Sequence, residues 1–200
     1  MTIPTKPALE ALGSDFTFPN QIDGMPQRLS DFQGLGIGSF VTNDGVKLAY
    51  WEAGEGRPLI FVPGWSGNGA HYFNLMYLLA KHYHVYVLDP RNQGLSQEVE
   101  YGSRIARFSM DLKEFGAHIG AGSADYVGHS MGAAILWSYI DLFGTAALRK
   151  VTFVDEPISI YSHDDSSETE RLEAGGTTTS AERMVQPSQP EALSTSSSRT

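Results

Sequence analysis

The chain has 200 residues, no cysteine and a formal charge of −9 at pH 7, from 14 basic and 23 acidic side chains. The missing cysteines exclude disulfides, thiolate metal sites and a cysteine nucleophile. The acidic balance lacks the basic face that a nucleic-acid binder or an anionic-lipid docking surface needs.

The size suits one domain with or without a tail. The amino terminus, Met1-Thr2-Ile3-Pro4-Thr5-Lys6-Pro7, has no continuous apolar stretch and does not read as a secretory signal. No apolar run approaches the roughly 20 residues that span a bilayer. An intracellular protein without a transmembrane segment is expected.

Residues 1–37 are rich in Gly, Pro and polar groups without a sustained period, and predict an irregular leader anchored by Phe16, Phe18 and Phe32. Phe40-Val41 and Val46-Lys47-Leu48-Ala49-Tyr50-Trp51 flank Asn43-Asp44-Gly45, a hairpin signal. Pro58-Leu59-Ile60-Phe61-Val62 is a continuous apolar run of the kind buried on both faces of a parallel sheet. The spacing predicts a helix over 70–81, with Phe73, Leu75, Met76, Leu78 and Leu79, then a strand over 85–88. A second helix is expected over 105–119, where Ile105, Phe108, Leu112, Phe115 and Ile119 recur at helical spacing.

Ser123-Ala124-Asp125-Tyr126-Val127 reads as a strand, the stretch from Ala133 to Phe143 as a helix, and Val151-Thr152-Phe153-Val154 as the last strand. An antiparallel start followed by repeated strand–helix alternation predicts an α/β fold, a doubly wound and mostly parallel sheet. The core then covers 38–163. A short helix is expected over 164–176 and a disordered tail over 177–200, where Ser, Thr, Gln, Pro and Glu dominate.

Between the strand ending at Val127 and the helix beginning at Ala133 stands Gly128-His129-Ser130-Met131-Gly132. A G-x-S-x-G nucleophile elbow requires this strand–turn–helix setting, because the turn lifts a strained serine above the sheet edge. The alternative is a surface turn that carries glycines and a serine by chance. Serine at this place favours acyl transfer.

The order of these motifs resembles the α/β-hydrolase fold. By that resemblance Ser130 is the nucleophile. Pro63-Gly64-Trp65 matches the loop that usually reads His-Gly-x and lends a backbone amide to the oxyanion hole; proline replaces the histidine. The Trp65 and Met131 amides are then the two oxyanion donors. Asp89-Pro90-Arg91-Asn92-Gln93-Gly94-Leu95-Ser96 matches D-x-R-G-x-G-x-S, with Asn92 for its first glycine, and Asp89 and Arg91 read as an ion pair or loop brace.

The fold orders its triad as serine, acid, histidine. Asp155, after the last predicted strand, is either the acid or a strand-end cap. His163 follows it and is the one histidine beyond Ser130, the candidate base that the resemblance leaves. It stands a few residues after the last predicted strand, where two further strands would normally intervene. His129 adjoins the nucleophile, but neighbouring side chains diverge at a sharp elbow. His71 reads as a capping or solvent residue, and His82, His84 and His118 as helix-end or strand-edge residues.

At a finer level the chain resembles fungal hydrolases of AK-toxin and AF-toxin biosynthesis over residues 14–184. The supporting stretches are Phe18-Pro19-Asn20-Gln21-Ile22-Asp23-Gly24-Met25-Pro26, the Asp89–Ser96 motif and Ser138-Tyr139-Ile140-Asp141-Leu142-Phe143-Gly144. That resemblance implies a serine esterase or thioesterase acting on a small-molecule acyl substrate, without cofactor or metal. It also implies a peroxisomal address, from which Ser198-Arg199-Thr200 departs by lacking a terminal leucine. The cap and last strands of such a hydrolase are missing beyond Met184. A truncated, inactive or binding-only product is therefore the competing expectation, and a small-molecule binding module a third.

Overall fold

The structure is a computed structural model that describes residues 3–18, 22–155 and 167. His163, the tail over 177–200 and all of 164–176 except Ser167 lie outside the described residues. The chain divides into two units, 1–156 and 157–200, and every element below belongs to the first.

In chain order the elements are β1 (Ile3–Pro7), α1 (Ala8–Leu12), β2 (Gly36–Val41), β3 (Lys47–Ala53), β4 (Pro58–Val62), α2 (Phe73–Leu79), β5 (His84–Leu88), α3 (Ile105–His118), β6 (Ala124–His129), α4 (Met131–Phe143) and β7 (Leu148–Val154). They build one seven-stranded sheet in the order β1-β2-β3-β5-β4-β6-β7. The pairs from β1 to β5 are antiparallel, and those linking β5, β4, β6 and β7 are parallel. The expected α/β class with a largely parallel sheet is what the chain adopts.

The apolar run of β4 is continuous because both of its faces are covered. Leu59 and Phe61 join Trp51, Phe73, Met76, Val85 and Val87 in one core. Ile60 and Val62 face the other way, toward Leu112, Phe115, Ile135 and Leu136 of α3 and α4. Strand β5 splits likewise, with Val85 and Val87 on one side and Tyr86 and Leu88 on the other. This period-two division of two central strands gives a helix–sheet–helix sandwich.

The N-terminal region departs from the expected irregular leader. Strand β1 adds to the sheet edge against β2, in register at Lys6↔Ile37 and Pro7↔Gly36. Prolines at positions 4 and 7 hide this strand from a propensity reading, yet an edge strand tolerates them because it needs fewer ladder donors. Phe18 stacks on Phe73 with centroids 4.0 Å apart, and Phe32 meets Phe73 and Tyr77 edge-on. Phe16 is 51 % exposed and anchors nothing in the core.

The helix expected over 70–81 is shorter. The Asn68 side chain accepts the Ala70 amide at 3.0 Å and starts a 3-10 turn, Gly69–Tyr72, before α2 takes over at Phe73. Among the described residues no helix is long and apolar enough to cross a membrane.

From β4 the chain steps to one side for β5, then crosses back past β4 to place β6 on its other side. The segments after the carboxyl ends of β4, β5, β6 and β7 therefore gather along one rim. In open α/β sheets that reversal point is where ligands bind.

Candidate active site

Ser130 occupies the junction of β6 and α4 with φ 52° and ψ −122°, a backbone conformation that serine adopts only under constraint. Two backbone bonds hold it there: the Ser130 amide donates to the Val154 carbonyl of β7 at 2.9 Å, and its own carbonyl accepts from Ala133 at 2.8 Å. The flanking glycines explain how the turn closes. A Cβ on Gly128 would stand 2.6 Å from the Gly132 carbonyl oxygen, and one on Gly132 would collide with the Val62 carbonyl of β4. Strand, turn and helix thus approach more closely than any side chain permits.

The loop after β4 runs beside this turn. A Cβ on Gly64 would lie 3.0 Å from the Ser130 Cβ and 3.2 Å from the His129 carbonyl oxygen. The Gly67 amide donates to the Gly64 carbonyl at 3.0 Å, folding the loop tightly around Trp65, whose indole is 74 % exposed. Met131 opens α4, so its amide is among the donors that a helix leaves without an internal partner. Such an amide, at the positive end of the helix dipole, can meet an anion forming at Ser130.

Asp155 follows β7 directly. Its carboxylate is 86 % exposed and stands 3.9 Å from the Nε2 of His129. The other imidazole nitrogen, Nδ1, lies 3.0 Å from the Tyr72 hydroxyl. His129 therefore points at Tyr72 and Asp155. His163, the expected base, lies outside the described residues. His71 caps the loop, accepting the Asn68 amide on Nδ1 at 3.3 Å.

Behind the rim, the motif after β5 supplies two braces. Asp89 is fully buried and gathers the Gly69 amide at 2.7 Å, the Leu95 amide at 2.8 Å and the Trp51 indole N–H at 3.3 Å. Burial pushes its pKa up to about 6, with those three donors pulling the other way. Asp89 thereby ties the loop after β4 to the loop after β5. Arg91, also fully buried, donates to Asp111 on α3 and to Asp44 in the hairpin turn. Burial opposes its charge, but Asp111 and Asp44 carry its pKa above the usual arginine range. Against its own burial, hydrogen bonds from Arg91 and Thr42 hold Asp44 down at about 2. Arg107 closes the network on Asp111, Asp44 and Glu114.

Tyr72, Asp44 and Asp111 escaped the sequence reading. Tyr72 sits where an aromatic at a helix start signals only core, Asp44 where an aspartate signals only a turn. Among the described residues no group of three His, Asp or Glu side chains forms a metal-binding set.

A pocket of about 400 Å³ opens between the N-terminal segment and the loops after β4 and β5, lined mainly by Leu12, Phe16, Phe18, Trp51 and Leu95, with Asp89 in its wall.

Residues 57–199 match the family described as alpha/beta hydrolase fold. The non-heme haloperoxidase of Rhodococcus erythropolis is 30 % identical over 117 residues, 58 % of this chain and 43 % of that protein. A non-heme chloroperoxidase of Kitasatospora aureofaciens is 32 % identical over 124 residues, 60 % of this chain and 45 % of its own length. Among solved structures, an esterase from Rhodococcus sp. ECU1013 superposes with a TM-score of 0.58 at 26 % identity, covering 62 % of this chain and 46 % of that one. The chain spans less than half the length of each of these relatives.

Proposed function

Because this chain belongs to the α/β hydrolase fold family, we propose that it is a serine hydrolase acting on a small-molecule acyl ester or thioester. The backbone of Ser130 carries this reading: a constrained serine between a parallel strand and a helix, with Gly128 packed on Gly132 and Gly132 on the β4 carbonyl. Ser130 Oγ attacks the acyl carbonyl. The Trp65 and Met131 amides hold the oxyanion, and the leaving alcohol or thiol departs from an acyl-enzyme that water then hydrolyses. Two such donors contribute several kcal/mol to the transition state. His163 is the base in this reading and Asp155 the acid that orients it.

The stretches shared with toxin-biosynthetic hydrolases of fungi support a substrate from secondary metabolism, and a peroxisomal place of work belongs to the same resemblance. The second reading is a binding-only protein. It is favoured by Asp155, whose exposed carboxylate faces His129 and is not enclosed in the way that a triad acid is.

A fluorophosphonate probe separates the two readings, since it reacts only with an activated serine. Labelling of the full chain at Ser130, lost in Ser130→Ala, is the expected result. A folded chain that stays unlabelled and turns over no p-nitrophenyl or thiol ester is the binding-only protein.

A further inference from the structure

The two amides assigned to the oxyanion hole sit on different pieces of the fold. Trp65 is on the loop after β4, and Met131 is on the first turn of α4. Something must fix the distance between them, because an error of about 1 Å in such a site costs on the order of 100-fold in rate.

The Tyr72 side chain is built to do this. It stands at the end of the 3-10 turn that continues the Trp65 loop, and its ring lies against Phe61 of β4 at 5.8 Å between centroids. Its hydroxyl reaches across to the strand that ends at the nucleophile. The His129 Nδ1, one residue before the nucleophile, lies 3.0 Å from that hydroxyl, and the two rings meet edge-on at 6.3 Å. The Gly64 backbone, next to Trp65, abuts the same imidazole: a Cβ there would lie 3.4 Å from the His129 Nδ1.

A phenol hydroxyl and an imidazole nitrogen can each donate or accept, so this contact is open to either tautomer of the ring. The other nitrogen, Nε2, faces Asp155 at 3.9 Å.

We propose that Tyr72 is a positioning residue for the oxyanion hole: its hydroxyl clamps the Gly64–Trp65 loop to His129 and so sets the spacing of the Trp65 and Met131 amides. The inference rests on the serine-hydrolase reading above. Tyr72 touches neither the nucleophile nor the acyl group in this role.

The test is the kinetics of Ser130 labelling by a fluorophosphonate in the full-length chain, resolved into kinact and KI. Tyr72→Phe keeps the ring and its packing on Phe61 while deleting one oxygen. It should lower kinact by ~10-fold or more and leave KI within about twofold, the signature of lost transition-state geometry. His129→Leu should reproduce that loss without touching Tyr72. His129→Asn, whose amide offers a hydrogen-bonding atom near the Nδ1 position, should restore most of the rate. The Tyr72→Phe/His129→Leu double variant should be no slower than either single one, since both break the same link. Equal kinact for wild type and Tyr72→Phe, or additive losses in the double variant, overturns the clamp while the serine-hydrolase reading stands. A folded wild type that is not labelled at all overturns that reading and the clamp with it.

Discussion

The guanidinium of Arg91 meets the carboxylate of Asp111 through two hydrogen bonds, 2.8 Å from Nε and 2.7 Å from Nη2, with both side chains closed to solvent. This fork joins the loop after β5 to α3 and, through Asp44, to the β2–β3 turn. Removing one member of a buried pair strands the other charge in a medium that cannot solvate it, at a cost of about 3–5 kcal/mol. Arg91→Met and Asp111→Leu should each lower stability by that amount, read from the urea midpoint. Arg91→Lys should not rescue it, because an ammonium cannot make the paired contact. Losses below ~1 kcal/mol would mean that the network contributes little.

Strain at the nucleophile gives a second expectation. Holding serine at φ 52° and ψ −122° costs ~1–3 kcal/mol, which glycine does not incur, although glycine loses ~0.5–1 kcal/mol more chain entropy on folding. Ser130→Gly should therefore be about 1 kcal/mol more stable than wild type. Ser130→Ala, which keeps a Cβ, should fall within ~0.5 kcal/mol of it. Thermal melts of the three proteins decide this, and equal stability of the glycine and alanine variants would remove the strain argument.

Gly132→Ala tests the close approach of α4 to β4. A methyl group there meets the Val62 carbonyl, which is fixed in the sheet between β5 and β6 and cannot move aside. Overpacking of this kind costs ~3 kcal/mol or more when backbone must shift. Gly122→Ala, which meets nothing within 4 Å, is the control and should leave the melting temperature nearly unchanged.

Asp89 and Asp44 should pull stability in opposite directions with pH. Asp89 has a folded pKa of about 6, above the usual 3.8, so the folded state takes up its proton before the unfolded chain does as pH falls. Its contribution is fully present below pH ~4 and is lost as pH rises through 6, a change of about 3 kcal/mol for a shift of about two units. Asp44, held at about 2, contributes above the usual carboxylate pKa and loses that contribution as pH falls through 2. Asp89→Asn turns an amide NH₂ toward one of the three donors and is destabilised throughout. The gap between it and wild type should be wider at about pH 4 than at about pH 7 in urea titrations. A gap independent of pH would show that Asp89 does not titrate in that window.

Legibility in the sequence followed how local the cause of each element is. Strand β4 was readable residue for residue, because burial on both faces leaves an unbroken apolar run between Gly and Pro. Helix α3 was readable within one residue, because its buried stripe of Phe108, Leu112 and Phe115 follows the helical period. Strand β1 was not. Its stability comes from pairing with β2, about thirty residues away, and its prolines argue against a strand everywhere except at an edge. The same division holds at the candidate site. The elbow is a local motif and announces itself. The Tyr72–His129 contact joins residues 57 positions apart, and no spacing rule connects a tyrosine before α2 to an imidazole at the end of β6. Asp155 was legible as a strand-end carboxylate, but its neighbour could be seen only once β7 lay beside β6.

The insertion of β5 between β3 and β4 has a consequence for how the chain is made. Strands β3 and β4 are consecutive in sequence, yet each pairs with β5, so a slot about 10 Å wide must stay open between them until β5 is available. A nascent chain leaving the ribosome can form the β2–β3 hairpin at once, whereas β4, with both faces apolar, emerges without a partner. It stays exposed through the synthesis of α2, a period in which such segments attract chaperones or one another. The Ser130 turn waits longer still, because its amide is satisfied only when Val154 arrives. A strained piece of backbone is thus closed only after the strands that must bear its strain have been made.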